Sequence, residues 1–441
     1  MRRLLVHVLA LPLLLGACAP PPPAGPPARL SPNHIFRPTS GPVIASPLAA
    51  DLDGDGHLEI AVGSWDGYFY VMDEQLRDKP GWPRYSPRGF FSSPAAGDLD
   101  ADGRLELIVG SESGNVYAWR ADGSALPGWP VDLRHRVWSS PTILPGNQVA
   151  ILGAGQMFVL DAVGRPAKGW PRPALGWGDS TAAFDGRVLA VATLAEGRPD
   201  AGGVRAWRPN GTPLPGFPVR LPRDSDSSPA LADLDGDGRD EIIVGDDAGM
   251  LHVFDPQGNE LPGFPARAGS LIEASPAIGD LDGDGWPDVV VGSWDGRMYA
   301  WDCRGVLLPG WPTQAGDQFI SSAALVDLDS DGLPDVVAGS KDHHLYGWNS
   351  RGEPLAGFPV DLGAYVFSSP WVGDLRGGPG QALEDDGRAD IVVGANNGIH
   401  LLQDVAPLGE RVWPCFHRDE RHSGFAEQVR HSGSWTGAAA P

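Results

Sequence analysis

Residues 280–292 read DLDGDGWPDVVVG, an acidic loop that runs directly into a β-branched segment. The Val-Val-Val part is typical of a buried β-strand, because branched side chains pack well on a pleated surface. The loop has acids at its first, third, fifth and ninth positions and glycine at its sixth. This stretch is one copy of a repeat, and the other copies of the loop begin at Asp51, Asp98, Asp233 and Asp327.

Two short phrases give the length and the number of the repeats. Ser-Ser-Pro, or a close variant, recurs mostly every 47 residues, with its third residue at Pro47, Pro94, Pro141, Ala182, Pro229, Pro276, Ala323 and Pro370. Pro-Gly-Trp/Phe-Pro, or a close variant, ends at Pro83, Pro130, Pro171, Pro218, Pro265, Pro312 and Pro359. The eighth repeat has a longer acidic loop and is complete through Pro414. The sequence therefore contains eight repeats, the third of them shorter than the rest.

Each repeat has room for four short strands. In the sixth, residues 274–279 are small, 289–292 are apolar, and 297–301 follow an Asp-Gly turn. Residues 308–312 then lead to an outer strand. Such a unit cannot bury both of its faces alone, and four strands in about 40–50 residues favour a β-propeller, whereas parallel β-helix repeats are shorter. The predicted fold class is all-β: an eight-bladed propeller of four-stranded antiparallel blades, with each first strand lining a central channel.

Aromatic residues recur at fixed places in the repeat. One position holds a tryptophan in several copies, which predicts packing between blades at Trp119, Trp207, Trp301 and Trp348. Trp65 and Trp294 lie in turns, where they are candidates for stacking on a sugar.

The acidic loops predict calcium sites. Clustered carboxylates suit Ca²⁺, which takes six to eight oxygen ligands, better than Mg²⁺ with its strict octahedron. The residue at position 7 can offer its backbone carbonyl, and Gly at position 6 allows a sharp turn. We expect about five ions, held by Asp51, Asp53, Asp55 and Glu59; Asp98, Asp100, Asp102 and Glu106; Asp233, Asp235, Asp237 and Glu241; Asp280, Asp282, Asp284 and Asp288; and Asp327, Asp329, Asp331 and Asp335.

Three repeats depart from the loop pattern, and none of the loops is an EF-hand. An EF-hand needs a bidentate Glu at position 12, where these loops have an apolar residue. The third and fourth repeats lack the acids, so we expect them to bind no ion. In the eighth, a site could reassemble around the inserted residues 376–383 from Asp374, Glu384, Asp386 and Asp390.

An acidic loop followed by a Val-Val-Val-Gly or Ile-Ile-Val-Gly strand resembles the FG-GAP/VCBS repeats of integrin α-subunit propellers and of many bacterial surface proteins. The resemblance covers about residues 40–425. It implies a propeller fold, bound calcium and a binding role. Integrin propellers have seven blades, so eight repeats are a departure and integrin ligands are not implied.

The N-terminus has the features of an export signal. Two arginines precede a short apolar run that ends Leu-Gly-Ala-Cys, which resembles a bacterial lipobox with Cys18 as the acylated residue. We therefore expect an exported lipoprotein at the outer membrane or cell surface, attached to the membrane only through this lipid. The predicted domains are the signal and lipobox (1–18), a Pro-rich linker (19–39), the propeller (40–425) and a C-terminal tail (426–441).

Composition limits the possible partners. Gly and Pro together number 104, but 42% of the residues are hydrophobic, which indicates a folded chain with many turns. A net charge of −23 disfavours nucleic acid, which needs a basic surface, and direct adsorption to an anionic membrane. Three cysteines form no disulfide framework, and we expect Cys303 and Cys415 to be unpaired in a monomeric protein.

The sequence contains no familiar catalytic motif, such as Gly-x-Ser-x-Gly, His-Glu-x-x-His or a P-loop. His417 and His422, near the C-terminus, could be a metal or acid–base pair, but a segment that caps the last blade is favoured, with Cys415 as an apolar filler. The predicted function is a calcium-stabilised binding or scaffold propeller at the cell surface that recognises a protein or a glycan, and not an enzyme. The alternative is a lyase-type polysaccharide-active enzyme, which would need a base and cations converging on one face.

Overall fold

The computed structural model of the chain describes residues 33–426, apart from 175, 177, 196–201 and 377–386. The signal segment, Cys18, most of the linker, Glu384 and Asp386 therefore lie outside the described residues. All regular elements in the described part are β-strands, and they form eight sheets. No helix there is long and apolar enough to cross a membrane. The eight-bladed all-β prediction is confirmed.

The strands are numbered β1 to β32 and the blades 1 to 8 in chain order, and every strand except β32 occupies one of four positions in a blade. The inner strands are β2 (Leu48–Ala50), β6 (Ala95–Gly97), β10 (Thr142–Leu144), β14 (Ala183–Phe184), β17 (Ala230–Ala232), β21 (Ala277–Gly279), β25 (Ala324–Val326) and β29 (Trp371–Gly373). The second strands are β3 (Glu59–Gly63), β7 (Glu106–Gly110), β11 (Gln148–Gly153), β15 (Leu189–Thr193), β18 (Glu241–Gly245), β22 (Asp288–Gly292), β26 (Asp335–Gly339) and β30 (Arg388–Ala395). The third strands are β4 (Tyr68–Met72), β8 (Asn115–Trp119), β12 (Gln156–Leu160), β16 (Gly203–Trp207), β19 (Met250–Phe254), β23 (Arg297–Trp301), β27 (His344–Trp348) and β31 (Gly398–Pro407). The outer strands are β5 (Arg84–Tyr85), β9 (Val131–Asp132), β13 (Arg172–Pro173), β20 (Ala266–Arg267), β24 (Thr313–Gln314), β28 (Val360–Asp361) and, in blade 8, β1 (His34–Pro38). Blade 4 has a single bridge, Val204 to Val219, at its outer position.

The core lies between neighbouring blades. The second strands are buried almost throughout, as in β22, where all five residues are buried. The tryptophans predicted to pack between blades are only 2–5% exposed, which confirms that role for Trp119, Trp207, Trp301 and Trp348. Trp65, in contrast, is 40% exposed.

A closed circle of hydrogen bonds explains the Ser-Ser-Pro phrase. The second residue of each phrase donates its backbone N–H to the hydroxyl of the corresponding residue in the next blade, over 2.9–3.2 Å. The circle runs Ser46, Ser93, Ser140, Thr181, Ser228, Ser275, Ser322, Ser369 and back to Ser46. Since all of these residues are buried, each bond satisfies a backbone group that has no water. The circle closes after eight steps, which fixes the number of blades.

The first described strand closes the ring of blades. β1 pairs antiparallel with β31 and supplies the outer strand of blade 8, whose other strands come from the end of the chain. Residues 34–38 lie in the segment that the sequence assigns to the linker, so the propeller begins about one strand earlier than predicted. The short apolar stretch around Ile35 and Phe36 was not recognised as a strand because it directly follows the Pro-rich residues.

The Pro-Gly-Trp/Phe-Pro phrase joins each blade to the next. Trp82 donates its Nε1–H to Ala121 O over 2.7 Å, and Trp311 does the same to Ser350 O over 3.1 Å. The glycine of the phrase has positive φ and lies against a turn of the next blade. A Cβ at Gly216, for example, would come within 1.6 Å of Gln257 O. Only glycine fits there.

The C-terminal segment, residues 411–426, runs around the inside of the channel. β32 (Arg411–Trp413) pairs with β25 of blade 7, and the following carbonyls accept hydrogen bonds from inner strands of further blades. These bonds of 2.7–2.9 Å join Val372 to Pro414, Ala96 to Glu420, Ile143 to Arg421, Phe184 to Ser423 and Leu231 to Gly424. The inner strands therefore line the channel, as predicted. The segment does not cap only the last blade, because it pairs with the exposed edges of the inner strands of at least five more.

Candidate functional site

The acidic loops lie at the end of the channel opposite the serine circle, because each inner strand begins after a serine and ends before a loop. In each loop, oxygens of the acids at positions 1, 3 and 9 lie within 4.8 Å of one another. These groups are Asp51, Asp53 and Glu59; Asp98, Asp100 and Glu106; Asp233, Asp235 and Glu241; Asp280, Asp282 and Asp288; and Asp327, Asp329 and Asp335. This distance lets three carboxylates share one cation.

The backbone of each loop holds the position-1 and position-9 carboxylates in place. In the loop of blade 6, Asp280 accepts the N–H groups of Gly283 and Gly285 over 2.8 and 2.9 Å. Asp288 accepts the N–H of Leu281 over 2.7 Å. Leu281 itself is fully buried, and the same leucine recurs in the other loops. The apolar position 2 therefore anchors the loop to the core, a role that the acidic pattern alone did not reveal.

Two of the position-9 carboxylates have an oxygen without a partner. Glu241 Oε1 and Asp335 Oδ1 are buried, and neither has a hydrogen-bond donor among the described residues. Burial and then the neighbouring acids raise the pKa of Glu241 to about 9 and that of Asp335 to about 7. The same causes raise the pKa of Asp288 to about 8. An unpaired buried oxygen among carboxylates is the arrangement that a bound cation would satisfy.

The position-5 acids lie beside these groups. Each accepts the backbone N–H of position 7, as Asp284 does from Trp286 over 2.8 Å. They are Asp55, Asp102, Asp237, Asp284 and Asp331, and the structure does not bring them within the three-carboxylate clusters.

The loops differ in the cations that the protein itself supplies. In blade 1, Lys79 Nζ lies 2.7 Å from Glu59 and 3.0 Å from Asp53, so it bridges two of the three grouped acids. In blade 2, Arg120 pairs with Asp100 over 2.6 Å. Among the described residues, the clusters of blades 5, 6 and 7 have no lysine or arginine bound to the three grouped acids.

Blade 8 retains the frame of the site. Asp390 accepts the N–H of Leu375 over 3.1 Å, as the position-9 acids do elsewhere, and Asp374 stands at position 1. Burial raises the pKa of Asp390 to about 6. Glu384 and Asp386 lie outside the described residues. In blades 3 and 4, the described residues contain no such acidic group.

The opposite face, called here the serine face, surrounds the channel mouth next to the serine circle. The residues two positions before those of the circle are Ile44, Phe91, Trp138, Asp179, Asp226, Glu273, Ile320 and Phe367. Three neighbouring blades thus place acids at an otherwise apolar rim. Burial, with the charge of Asp179 next, raises the pKa of Glu273 to about 7, and the pKa of Asp226 is also raised by burial.

One cavity of about 370 Å³ on the serine face is lined by Arg88, Glu112, Ser113, Arg134, His135 and Arg136. Sequence reasoning missed this group. The only signal was the run Arg-His-Arg in a strongly acidic chain.

The histidines of the C-terminal segment are structural. His422 donates its Nδ1–H to Pro141 O over 3.0 Å, and His417 donates to His422 O over 3.1 Å. Burial lowers the pKa of His417 to about 4 and that of His422 to about 3, so both are neutral near pH 7. Cys415 is 4% exposed in the core, and Cys303 and Cys415 are free thiols, as expected.

Comparison with known proteins agrees with the repeat and the fold. The FG-GAP-like repeat matches residues 51–109, 233–291 and 280–338, each range beginning at the first aspartate of an acidic loop. The comparison with curated proteins found no match.

Three solved structures show the same fold at low sequence identity. The computationally designed Ika8 protein has a TM-score of 0.56 and 16% identity over 83% of this chain and 98% of that one. BamB from Moraxella catarrhalis has a TM-score of 0.54 and 16% identity over 83% of this chain and 97% of its own. Sqt1 from Saccharomyces cerevisiae has a TM-score of 0.61 and 12% identity over 87% of this chain and 100% of its own. Identities this low bear on the fold alone.

Proposed function

The chain is an eight-bladed β-propeller with FG-GAP-like repeats, and from this premise we propose that it is a calcium-stabilised binding module that recognises a glycan or a protein at the cell surface. Repeats of this kind commonly mediate binding. The fold by itself does not decide the function, so the proposal depends on the loops and the two faces.

Calcium binding is supported most directly by the unpaired oxygens of Glu241 and Asp335. Each is buried beside two further carboxylates, and no described lysine or arginine binds to these clusters. A folded protein seldom leaves such oxygens unsatisfied, and a hard divalent cation suits three oxygens held by a rigid loop. The strands that follow the loops form the blade cores, so an ion there would stabilise the fold.

A binding role is supported by the way the channel is filled. Residues 411–426 occupy its interior, so a ligand would meet the propeller at a face rather than pass through it. The mouth at the serine face has an apolar and acidic rim, which offers both packing and hydrogen-bonding groups to a ligand. Exposed Trp65 and half-buried Trp294 also lie on turns of this face.

The test is a binding screen of the purified full chain on a glycan array and, in parallel, against surface proteins, in calcium and in excess chelator. We expect a ligand class that binds in calcium and is lost or weakened in chelator. Binding that is absent from both screens in both conditions would contradict the proposal.

The alternative function, a lyase-type enzyme, has one observation in its favour. Arg88, Arg134 and Arg136 meet His135 in a single cavity, which is the convergence of cations and a base that such a reaction requires. Incubation with acidic polysaccharides, followed by ultraviolet absorbance of unsaturated products, tests it. We expect no product if the cavity only binds.

The location of the protein is part of the proposal. The lipobox-like Leu-Gly-Ala-Cys supports export and attachment through Cys18, and the charge of −23 argues against nucleic acid as a partner.

A further inference from the structure

The cavity on the serine face is basic in a protein with 56 acidic residues and 33 lysines and arginines. Three of its six lining residues are arginines, contributed by two successive loops between blades. Arginine is charged at every physiological pH, so the cavity holds three fixed positive charges.

The fold does not neutralise these three guanidinium groups with ion pairs. In the described part of the chain, Arg88, Arg134 and Arg136 form no ion pair and no side-chain hydrogen bond. Other arginines do, as Arg120 pairs with Asp100 over 2.6 Å. Arg136 packs over the ring of Trp138 at 4.9 Å, which orients its guanidinium without neutralising it.

The loop that presents two of the arginines is held at both ends. Leu133 donates its N–H to Gly114 O over 2.9 Å, and Val137 donates to Ser111 O over 3.1 Å. Both acceptors belong to the turn that contributes Glu112 and Ser113 to the cavity. The two walls therefore form one preorganised unit, which reduces the entropy lost on binding.

The repeat does not require this basic group. Arg134 and Arg136 stand seven and five residues before the third residue of their Ser-Ser-Pro phrase. At the same two positions, the loops of the other regular blades have uncharged or acidic residues: Pro87 and Gly89, Pro222 and Asp224, Gly269 and Leu271, Gly316 and Gln318, and Gly363 and Tyr365. Packing of the blades thus does not account for Arg134 and Arg136.

From these observations we propose that the cavity binds an acidic saccharide, with the guanidinium groups of Arg88, Arg134 and Arg136 around its carboxylate or sulfate. This inference rests on the proposed binding function. Paired N–H donors of arginine match the two oxygens of such an anion. A volume of about 370 Å³ is within the usual range for small-molecule sites and suits one or two sugar rings.

The remaining lining residues favour a sugar over an acidic peptide. Glu112 accepts the indole N–H of Trp138 with one oxygen, and its other oxygen can accept a sugar hydroxyl. Ser113 can donate to or accept from a second hydroxyl. A carboxylate in the wall would repel a ligand that presents only negative charges, but it suits one that has both an anion and hydroxyl groups.

The experiment is calorimetric titration of the full chain with four probes: an oligogalacturonate, a sulfated oligosaccharide, the methyl-esterified oligogalacturonate and a polyglutamate peptide. We expect at least one of the two acidic saccharides to bind, and the uncharged ester and the peptide to bind at least about tenfold more weakly. The first two probes distinguish carboxylate from sulfate as the recognised group.

The variants are Arg134→Ala with Arg136→Ala, and the matched control Arg223→Ala, an exposed arginine in the same loop of a different blade. The double variant should lose at least about tenfold in affinity, whereas the control should bind like the wild type. Melting temperature in calcium shows that both variants are folded.

The inference is overturned if neither acidic saccharide binds, if the ester or the peptide binds as tightly, or if the double variant binds unchanged. These outcomes are separate from failure of the proposed function. A ligand found in the open screens that binds the double variant normally would keep the binding function and remove the cavity from it.

Discussion

At the scale of single residues, Lys79 distinguishes one acidic loop from the others. Its ammonium group lies among Asp53, Asp55 and Glu59, at 3.0, 4.0 and 2.7 Å. Burial opposes a charged lysine there, but hydrogen bonds to Glu59 and Asp53 raise its pKa above the ordinary value. The protein thus supplies a cation where the loops of blades 5 to 7 would need an ion from solution.

Lys79→Met should make the loop of blade 1 dependent on calcium. Without the ammonium, Glu59 is a buried carboxylate with no counterion, so the variant should be less stable in chelator by roughly 1–3 kcal/mol. Calcium should restore the lost stability, and it should bind at that loop at least about tenfold more tightly than in the wild type. Calorimetric titration and melting in both conditions measure it, with exposed Lys168→Met as control. Equal calcium binding by variant and wild type would contradict the competition.

Cys18 is the other residue with a decisive test, because the lipid anchor depends on it alone. We expect the wild type expressed in a bacterial host to enter the detergent phase on phase partitioning, because two or three acyl chains bind a protein stably to a membrane. The Cys18→Ser variant has no acyl chain and should stay in the aqueous phase. Aqueous partitioning of both proteins would exclude the anchor.

At the scale of the element, each acidic loop and the strand after it form one unit. The position-9 acid is the first residue of the second strand in the five loops, as Asp288 is of β22. An ion bound to this acid therefore fixes the start of a strand that is buried between two blades. In the absence of an ion, three carboxylates repel one another at that point.

Asp282→Asn should separate the metal contribution from the fold. The side chain is exposed and belongs to the three-carboxylate group of blade 6. In chelator the variant should melt at or above the wild-type temperature, because one repulsive charge is gone. In excess calcium it should lose the stabilisation that one bound ion provides. This is about 2.7 kcal/mol when the calcium concentration is 100 times the dissociation constant of the site.

Asp284→Asn is the matched control for that loop. Its carboxylate accepts the Trp286 N–H and lies outside the three-carboxylate group, so its removal should reduce the calcium effect less than Asp282→Asn does. A wild-type melting temperature that does not change with calcium would show that the five loops are ordinary acidic turns.

At the scale of the whole molecule, two long-range features hold the ring together. The serine circle joins every blade to the next, and residues 411–426 pair with inner strands from inside the channel. Unpaired edges of inner strands would otherwise face the channel, so the segment satisfies backbone groups in many blades at once. Its loss should therefore weaken the ring as a unit rather than one blade.

His422→Gln should change how stability depends on pH. Burial lowers the pKa of His422 to about 3 in the folded protein, against an ordinary value of 6.5 for histidine. Since the unfolded chain takes up the proton first, this contribution to stability is complete above pH 6.5 and is lost as the pH falls towards 4, by about 1.4 kcal/mol per pH unit.

Gln can keep a donor to Pro141 O but does not titrate. The variant should therefore lose stability less steeply between pH 6.5 and 4, as denaturant unfolding in chelator would show. Buried carboxylates, whose raised pKa values act in the opposite direction, are the same in both proteins and cancel in the difference. Parallel pH profiles would mean that His422 is not buried as a neutral group.

The sequence by itself determined whatever repeats. The 47-residue spacing, the acids at positions 1, 3 and 9 and the packing tryptophans are local patterns, and each requires the same backbone in every copy. The number of blades, the four strands and the places of the acidic groups followed from them. The position-5 acids fit the pattern equally well, and only the folded loop separates them from the clustered three.

Only the tertiary structure decided what does not repeat. Contacts such as Ser369 with Ser46 and His422 with Pro141 join residues 323 and 281 positions apart, so no local spacing announces them. Other features also depend on contacts between distant residues. They are the position of Lys79 among the acids of a loop, the path of residues 411–426 through the channel, the strand at residues 34–38 and the three arginines around one cavity. The physical reason is that a repeat fixes the geometry of one blade, whereas these groups meet because eight blades close into a ring.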